Sequence, residues 1–117
     1  MQVVLIDDNE IDIFVNQKLL ETSGLGAEIS TFSNPVSALK DLQGRDVDVI
    51  IVDNQMPELS GYDFLKKMLE AKNDLKSKMI VLTATVRQDL QDKYKALNPS
   101  IHLCEKPLDV GYLSALL

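Results

Sequence analysis

Cysteine is almost absent from this sequence of 117 residues, which contains only Cys104. A lone cysteine cannot form an internal disulfide, but a chain of this length can bury one hydrophobic core without such staples. The sequence also lacks an apolar run of about 18 residues, the length that a membrane-spanning helix requires. Its N-terminus lacks a basic segment followed by an apolar stretch, so no signal peptide is predicted. These features favour a reducing, cytoplasmic setting.

Positive charge is also scarce, since 12 Lys and Arg stand against 18 Asp and Glu, a net charge of −6. This balance argues against nucleic acid or an anionic membrane as a partner. The acidic excess either serves only solubility or is partly concentrated at a cation site, and the positions of the carboxylates decide between these readings. The length suits a single domain over residues 1–117.

Short apolar runs alternate with longer segments of helical periodicity. Strands are predicted at residues 3–6, 28–32, 47–52, 79–82 and 101–104. A helical segment follows each of them, which gives five βα units in order. Parallel strands joined by crossover helices form an open sheet with helices on both faces, so the sequence predicts the α/β class.

Capping residues and apolar stripes locate the helices. The first helix is predicted from a stripe at helical spacing: Ile11, Phe14, Val15 and Leu19. Asn34, followed by proline, predicts the start of the second helix, and Ser60 that of the third. Thr85 and Gln88 have the spacing of a capping box at the start of the fourth helix. Tyr94 falls in the apolar stripe of that helix.

Polar residues follow four of the predicted strands. Asp7 and Asp8 end the first strand, Asp53 the third and Thr83 the fourth, and Lys106 follows the fifth. Ligands of open α/β sheets bind at the carboxyl ends of the strands. We therefore expect three carboxylates, a hydroxyl and an ammonium group to converge at one edge of the sheet.

This set of groups is suited to phosphoryl transfer. Clustered carboxylates repel each other, and Mg²⁺ relieves the repulsion while it leaves coordination positions for a phosphate group. An aspartate carboxylate can itself act as the nucleophile, and Asp53 on the central strand is the natural candidate. Lys106 and Thr83 are suited to neutralising and hydrogen-bonding the phosphoryl oxygens.

These motifs, taken together, resemble those of the response-regulator receiver domains of two-component signalling along the whole chain. The matching elements are Ile6-Asp7-Asp8, Val52-Asp53-Asn54-Gln55-Met56-Pro57 with Gly61, Leu82-Thr83-Ala84, and Lys106-Pro107. The resemblance implies a flavodoxin-like fold: a doubly wound, five-stranded parallel sheet in the strand order 2-1-3-4-5, with five helices on both faces.

The resemblance also implies a role for each residue of the site. Asp53 would accept a phosphoryl group from a phosphohistidine on a sensor histidine kinase or a histidine phosphotransfer protein, and the domain would then switch its interaction surface. Thr83 would hydrogen-bond a phosphoryl oxygen, and Lys106 would form an ion pair with it. Asp8 would be the direct Mg²⁺ ligand and Asp7 would act through water. With these, the implied metal-binding set is Asp7, Asp8, Asp53 and the backbone carbonyl of Gln55.

One departure from the family pattern leaves alternatives open. The family usually has Tyr or Phe three residues before the lysine, where this chain has Leu103. A degenerate receiver that docks partners without phosphorylation is therefore an alternative. An Mg²⁺-dependent phosphatase with an aspartate nucleophile is another, although Asp7-Asp8-Asn9 lacks the D-x-D pattern of haloacid-dehalogenase-like enzymes. The favoured reading is a domain that catalyses its own phosphorylation and slow dephosphorylation, not an enzyme with turnover.

Overall fold

The computed structural model describes residues 1–72 and 74–117, and its strands and helices alternate along the chain. The strands are β1 (Gln2–Ile6), β2 (Glu28–Phe32), β3 (Val49–Asp53), β4 (Lys78–Thr83) and β5 (Ile101–Glu105). The helices are α1 (Glu10–Glu21), α2 (Pro35–Gln43), α3 (Gly61–Ala71), α4 (Gln88–Leu97) and α5 (Val110–Leu116). None of the helices in the described ranges is both long and apolar enough to cross a membrane.

All five strands pair in parallel, in the order β2-β1-β3-β4-β5. This arrangement confirms the predicted doubly wound sheet with strand order 2-1-3-4-5. Strand β3 lies at the centre, and all five of its residues are buried. From β1 the chain adds β2 on one side and then β3, β4 and β5 on the other, so the strand order reverses between β1 and β3. A crevice forms at such a point, outside the carboxyl ends of the strands.

Alternating side chains of each strand pack into two separate cores, one on each face of the sheet. On one face, Val4 and Ile6 of β1 pack in the same cluster as Phe64 of α3, together with side chains of α2 and α4. On the other face, Leu5 packs in a cluster with Leu20 of α1 and side chains of α5. The sheet is thus covered on both faces, and the edge at the carboxyl ends of the strands is left for the polar residues.

The apolar stripe that predicted α1 is not the buried face of the helix. The side chains of Ile11, Phe14 and Val15 are 74%, 61% and 40% exposed. The buried residues of α1 are Asn16 and Leu20. Helical periodicity therefore located the helix correctly, but it identified the wrong face because a polar residue occupies a buried position.

The predicted cap of α4 is also wrong. Helix α4 begins at Gln88, beyond Thr85. The backbone carbonyl of Thr85 instead accepts a hydrogen bond from the Thr83 hydroxyl at 3.2 Å. Asn34 and Ser60 do cap α2 and α3, as their spacing predicted, by accepting hydrogen bonds from backbone N–H groups of the first helical turn.

Gly61, the first residue of α3, lies directly against the end of β3. A Cβ atom at this position would stand 2.5 Å from the carbonyl oxygen of Asp53 and 3.0 Å from the hydroxyl of Tyr94. We expect Gly61→Ala to lower the free energy of unfolding by about 2 kcal/mol, because the backbone must shift to relieve the overlap. Urea denaturation followed by circular dichroism measures the loss.

Gly44→Ala is the matched control. Its Cβ would meet only the carbonyl oxygen of Asp41, at an ordinary contact distance of 3.7 Å. We expect this variant to unfold within about 0.5 kcal/mol of the wild type. Equal losses in the two variants would show that the close approach of α3 to β3 is not the cause.

Candidate functional site

Three carboxylates converge at the carboxyl ends of β1 and β3, where the strand order reverses, as predicted. Asp7 follows β1 and Asp53 ends β3, and these strands are neighbours in the sheet. Oxygen atoms of Asp7, Asp8 and Asp53 all lie within 4.8 Å of one another. Asp7 and Asp53 are buried, whereas Asp8 is exposed. Such a cluster of oxygen ligands with an open side fits Mg²⁺, which prefers a few carboxylates and retains several waters.

Lys106 places its ammonium group among these carboxylates. Its Nζ lies 2.7 Å from Asp53 Oδ1, 3.5 Å from Asp7 Oδ2 and 2.8 Å from Asp12 Oδ2. The backbone N–H of Lys106 donates to the carbonyl of Thr83 at 2.8 Å, which anchors the residue just beyond β5 to the end of β4. The convergence of Lys106 with Asp7 and Asp53 was predicted; the contact with Asp12 was not.

The pKa values of the two buried carboxylates reflect this environment. Burial raises the pKa of Asp7 to about 6, a hydrogen bond from the backbone N–H of Asn9 opposes the shift, and repulsion from Asp53 adds to it. Burial also raises the pKa of Asp53, against the opposing effect of Lys106. Lys106 therefore only partly offsets the desolvation of the cluster, which favours the binding of a further cation.

All the site residues predicted from the sequence line one cleft of about 340 Å³. They are Asp7, Asp8, Asp53, Gln55, Thr83 and Lys106. The backbone N–H of Gln55 donates to Asp53 Oδ2 at 3.3 Å, so the loop after β3 folds back towards the carboxylate. The Thr83 hydroxyl lies in the same cleft. The arrangement combines a buried carboxylate, a cation and a hydroxyl around a space open to solvent.

Sequence reasoning missed two residues of α1 that hold the segment after β5. Asp12 lies in the first turn of α1 and accepts a hydrogen bond from Lys106 Nζ. One turn further, the buried Asn16 side chain accepts a hydrogen bond from the backbone N–H of Leu108 at 3.1 Å. An acid in the first turn of a helix is usual because it complements the helix dipole, so nothing in the sequence distinguished Asp12.

A second contact that sequence reasoning missed links the loop after β3 to α4. Tyr94 is only 1% exposed, and its hydroxyl donates to Asn54 Oδ1 at 2.7 Å. Asn54 directly follows Asp53, and the ring of Tyr62 packs edge-on to Tyr94 with the centroids 5.8 Å apart. The apolar stripe predicted that Tyr94 would be buried, but it did not predict the partner of its hydroxyl.

Comparison with known proteins agrees with this geometry. The response regulator receiver domain family matches residues 3–117. The aerobic respiration control sensor protein ArcB of Escherichia coli is 28% identical over the whole chain, and the chain spans 15% of its length. The response regulator SaeR of Staphylococcus epidermidis is 34% identical over 74% of this chain and 35% of its own length.

A solved structure has the same fold. The receiver domain of the sensor histidine kinase PA1611 from Pseudomonas aeruginosa superposes with a TM-score of 0.81 and 20% identity. The match covers 98% of this chain and 92% of that one. That protein holds a magnesium ion in its active site cleft.

The raised pKa of Asp7 predicts a pH dependence of stability in the metal-free protein. Because the pKa in the folded state, about 6, lies above the ordinary aspartate value of 3.8, the folded state binds more protons between these values. The ionised Asp7 therefore destabilises the fold above pH 6, and this effect is lost as the pH falls through 6 towards 4. Replacing the carboxylate by an amide should remove the dependence.

We expect Asp7→Asn to raise the free energy of unfolding at pH 7 by on the order of 1 to 3 kcal/mol, since one pKa unit corresponds to about 1.4 kcal/mol. Urea denaturation of both proteins in EDTA, at pH 4 and at pH 7, measures the difference. The gain should shrink at pH 4, where Asp7 of the wild type is protonated. An equal difference at both pH values would contradict the assignment to Asp7.

Proposed function

The chain belongs to the response regulator receiver domain family of two-component signalling, and we propose that Asp53 accepts a phosphoryl group from a phosphohistidine in a Mg²⁺-dependent reaction. The observation that carries this proposal is the position of Asp53. It ends the central strand, lies in a cluster with Asp7 and Asp8, and is 2.7 Å from Lys106 Nζ. The carboxylate of Asp53 thus lies beside both the ammonium group of Lys106 and two other carboxylates that are suited to binding a metal ion.

The donor set of the cleft fits Mg²⁺. Asp8 and Asp53 would supply carboxylate oxygens, Asp7 would act through water, and the backbone carbonyl of Gln55, which lines the same cleft, would complete the protein ligands. The raised pKa values of the two buried carboxylates express the repulsion and desolvation that such a cation relieves. When bound, the metal supplies positive charge that neutralises and orients the phosphoryl oxygens.

In the transfer step, a carboxylate oxygen of Asp53 attacks the phosphorus atom. A P–O bond forms while the P–N bond of the donor breaks, and the departing imidazole nitrogen keeps the electron pair. Lys106 neutralises a phosphoryl oxygen from the position in which it now contacts Asp53. The Thr83 hydroxyl, which donates to the carbonyl of Thr85 at 3.2 Å, rotates to donate to a second phosphoryl oxygen.

An exposed apolar surface beside the cleft suits the protein that carries the phosphohistidine. Ile11, Phe14 and Val15 project from α1 to solvent, and Val15 also lines a small cavity next to Lys106 and Pro107. Exposed apolar patches at a polar rim are typical of interaction surfaces. We infer that a sensor histidine kinase or a histidine phosphotransfer protein docks on this α1 surface and thereby presents its phosphohistidine to Asp53.

Phosphorylation by a small donor tests the acceptor. We expect the protein to gain one phosphoryl group from acetyl phosphate in Mg²⁺, as measured by intact mass spectrometry, and Asp53→Asn to gain none because it lacks the nucleophile. Asp46→Asn is the control, since its side chain is fully exposed and lies before β3, at the opposite edge of the sheet. An undiminished adduct in Asp53→Asn would exclude this residue as the acceptor.

A protein donor tests the docking surface. We expect Val15→Ala to slow transfer from a phosphorylated histidine phosphotransfer protein by roughly threefold, and Phe14→Ala by roughly tenfold, because a large aromatic side chain that becomes buried in an interface contributes more to binding than a small one. Val36→Ala on α2 is the matched control, since Val36 is 42% exposed and Val15 40%. Phosphorylation by acetyl phosphate should be unchanged in all three variants. Equal slowing with acetyl phosphate would show that the variants damage the site and not the docking.

A further inference from the structure

Asp12 adds a negative charge to those of the implied metal ligands at the edge formed by the carboxyl ends of the strands, which we call the reactive edge. Lys106 Nζ lies at nearly equal distances from two carboxylate oxygens, 2.8 Å from Asp12 Oδ2 and 2.7 Å from Asp53 Oδ1. Two carboxylates on different elements therefore share one ammonium group. The position of the Lys106 ammonium group therefore depends on its relative attraction to Asp12 and to Asp53.

Helix α1 holds the Lys106 segment at two points. Besides the contact of Asp12 with Lys106, the Asn16 side chain accepts a hydrogen bond from the backbone N–H of Leu108 at 3.1 Å. Asn16 is 4% exposed, so this contact is protected from water. Asp12 and Asn16 lie one turn apart on the same face of α1. The helix therefore fixes both the backbone beyond Lys106 and the end of its side chain.

Lys106 binds two of the three carboxylates that would also hold Mg²⁺. The ammonium group contacts Asp53 and lies 3.5 Å from Asp7 Oδ2, and both residues belong to the carboxylate cluster. Without its contact on α1, the Lys106 ammonium group would no longer share its charge with Asp12, and it could shorten its present distance of 3.5 Å to Asp7 Oδ2 while it keeps the contact with Asp53. The loss of one negative charge near the cleft would also weaken its attraction for a cation. Both effects of removing Asp12 act against metal binding.

We propose that Asp12 is a positioning residue that shares the charge of Lys106 with Asp53 and holds the ammonium group back from Asp7, and so leaves the carboxylate cluster more available to Mg²⁺. The inference rests on the proposed function, because it requires Mg²⁺ to bind at the cluster. It adds that the affinity of the site is set by a residue outside the metal ligands. It also implies that α1 influences the metal site through a side chain that lines the same cleft but is not one of the implied metal ligands.

Mg²⁺ binding to the full chain tests the proposal. Backbone amide chemical shifts, followed by NMR as Mg²⁺ is added to the metal-free protein, give the dissociation constant without any phosphoryl donor. We expect Asp12→Asn, which preserves the shape of the side chain, to bind Mg²⁺ roughly fivefold more weakly. Glu10→Gln is the matched control, since Glu10 is an exposed acid in the same helical turn. Its affinity should change by less than about twofold, because solvent and salt screen its charge.

A double-mutant cycle tests whether Asp12 acts through Lys106. In a Lys106→Met background, no ammonium group remains to be held back, so Asp12→Asn should weaken Mg²⁺ binding by only about twofold. Lys106→Gln repeats the comparison should the methionine variant not fold. Wild-type affinity in Asp12→Asn, or a fivefold effect that persists without Lys106, would overturn the inference. Absence of Mg²⁺ binding to the wild type would instead overturn the proposed metal site itself.

Discussion

The charge balance of the reactive edge depends on one ammonium group. Lys106 Nζ lies within 3.5 Å of carboxylate oxygens from three residues, Asp7, Asp12 and Asp53. Burial alone would lower the pKa of Lys106, but its hydrogen bonds to Asp12 and Asp53 raise it above the ordinary value, so the group stays charged. A neutral residue here would leave buried carboxylates in mutual repulsion. The fold therefore holds this edge together with a cation of its own, while the pKa values of Asp7 and Asp53, which burial raises, would favour the presence of a second cation.

The parallel sheet brings these groups together from distant parts of the chain. Ile6 pairs with Val52, so Asp7 and Asp53 emerge side by side one residue later. Strand β4 lies on the other side of β3, and its terminal Thr83 accepts a hydrogen bond from the backbone of Lys106. Each strand that delivers a polar group is anchored by its apolar side chains in the cores on both faces of the sheet. The chemistry is thus confined to an edge whose geometry is fixed by hydrophobic packing.

The strand ends could be predicted from the sequence, whereas the contacts of α1 could not. Asp53 and Lys106 follow apolar runs, and the alternation of strands and helices requires such ends to meet at one edge. Asp12 lies inside a helix, and no local pattern reports which strand end it faces. Periodicity failed for the same helix because the polar Asn16 is buried and the apolar Phe14 is exposed, an inversion that depends on partners distant in sequence. The capping box at Thr85 failed because α4 begins only at Gln88, with Arg87 at the N-cap position.

The hydrogen bond between Tyr94 and Asn54 joins α4 to the loop after β3. Leu103 supplies no hydroxyl or aromatic ring at the position where the resemblance leads one to expect it, but α4 brings a buried phenol to within 2.7 Å of the residue that follows Asp53. Separating these two groups inside the protein would leave polar atoms unpaired, at a cost of about 1 to 3 kcal/mol. The loop after β3 and α4 are therefore held together by this hydrogen bond. A chain without the aromatic residue on β5 thus still has a buried aromatic side chain in contact with the loop after Asp53, supplied by a helix instead of a strand.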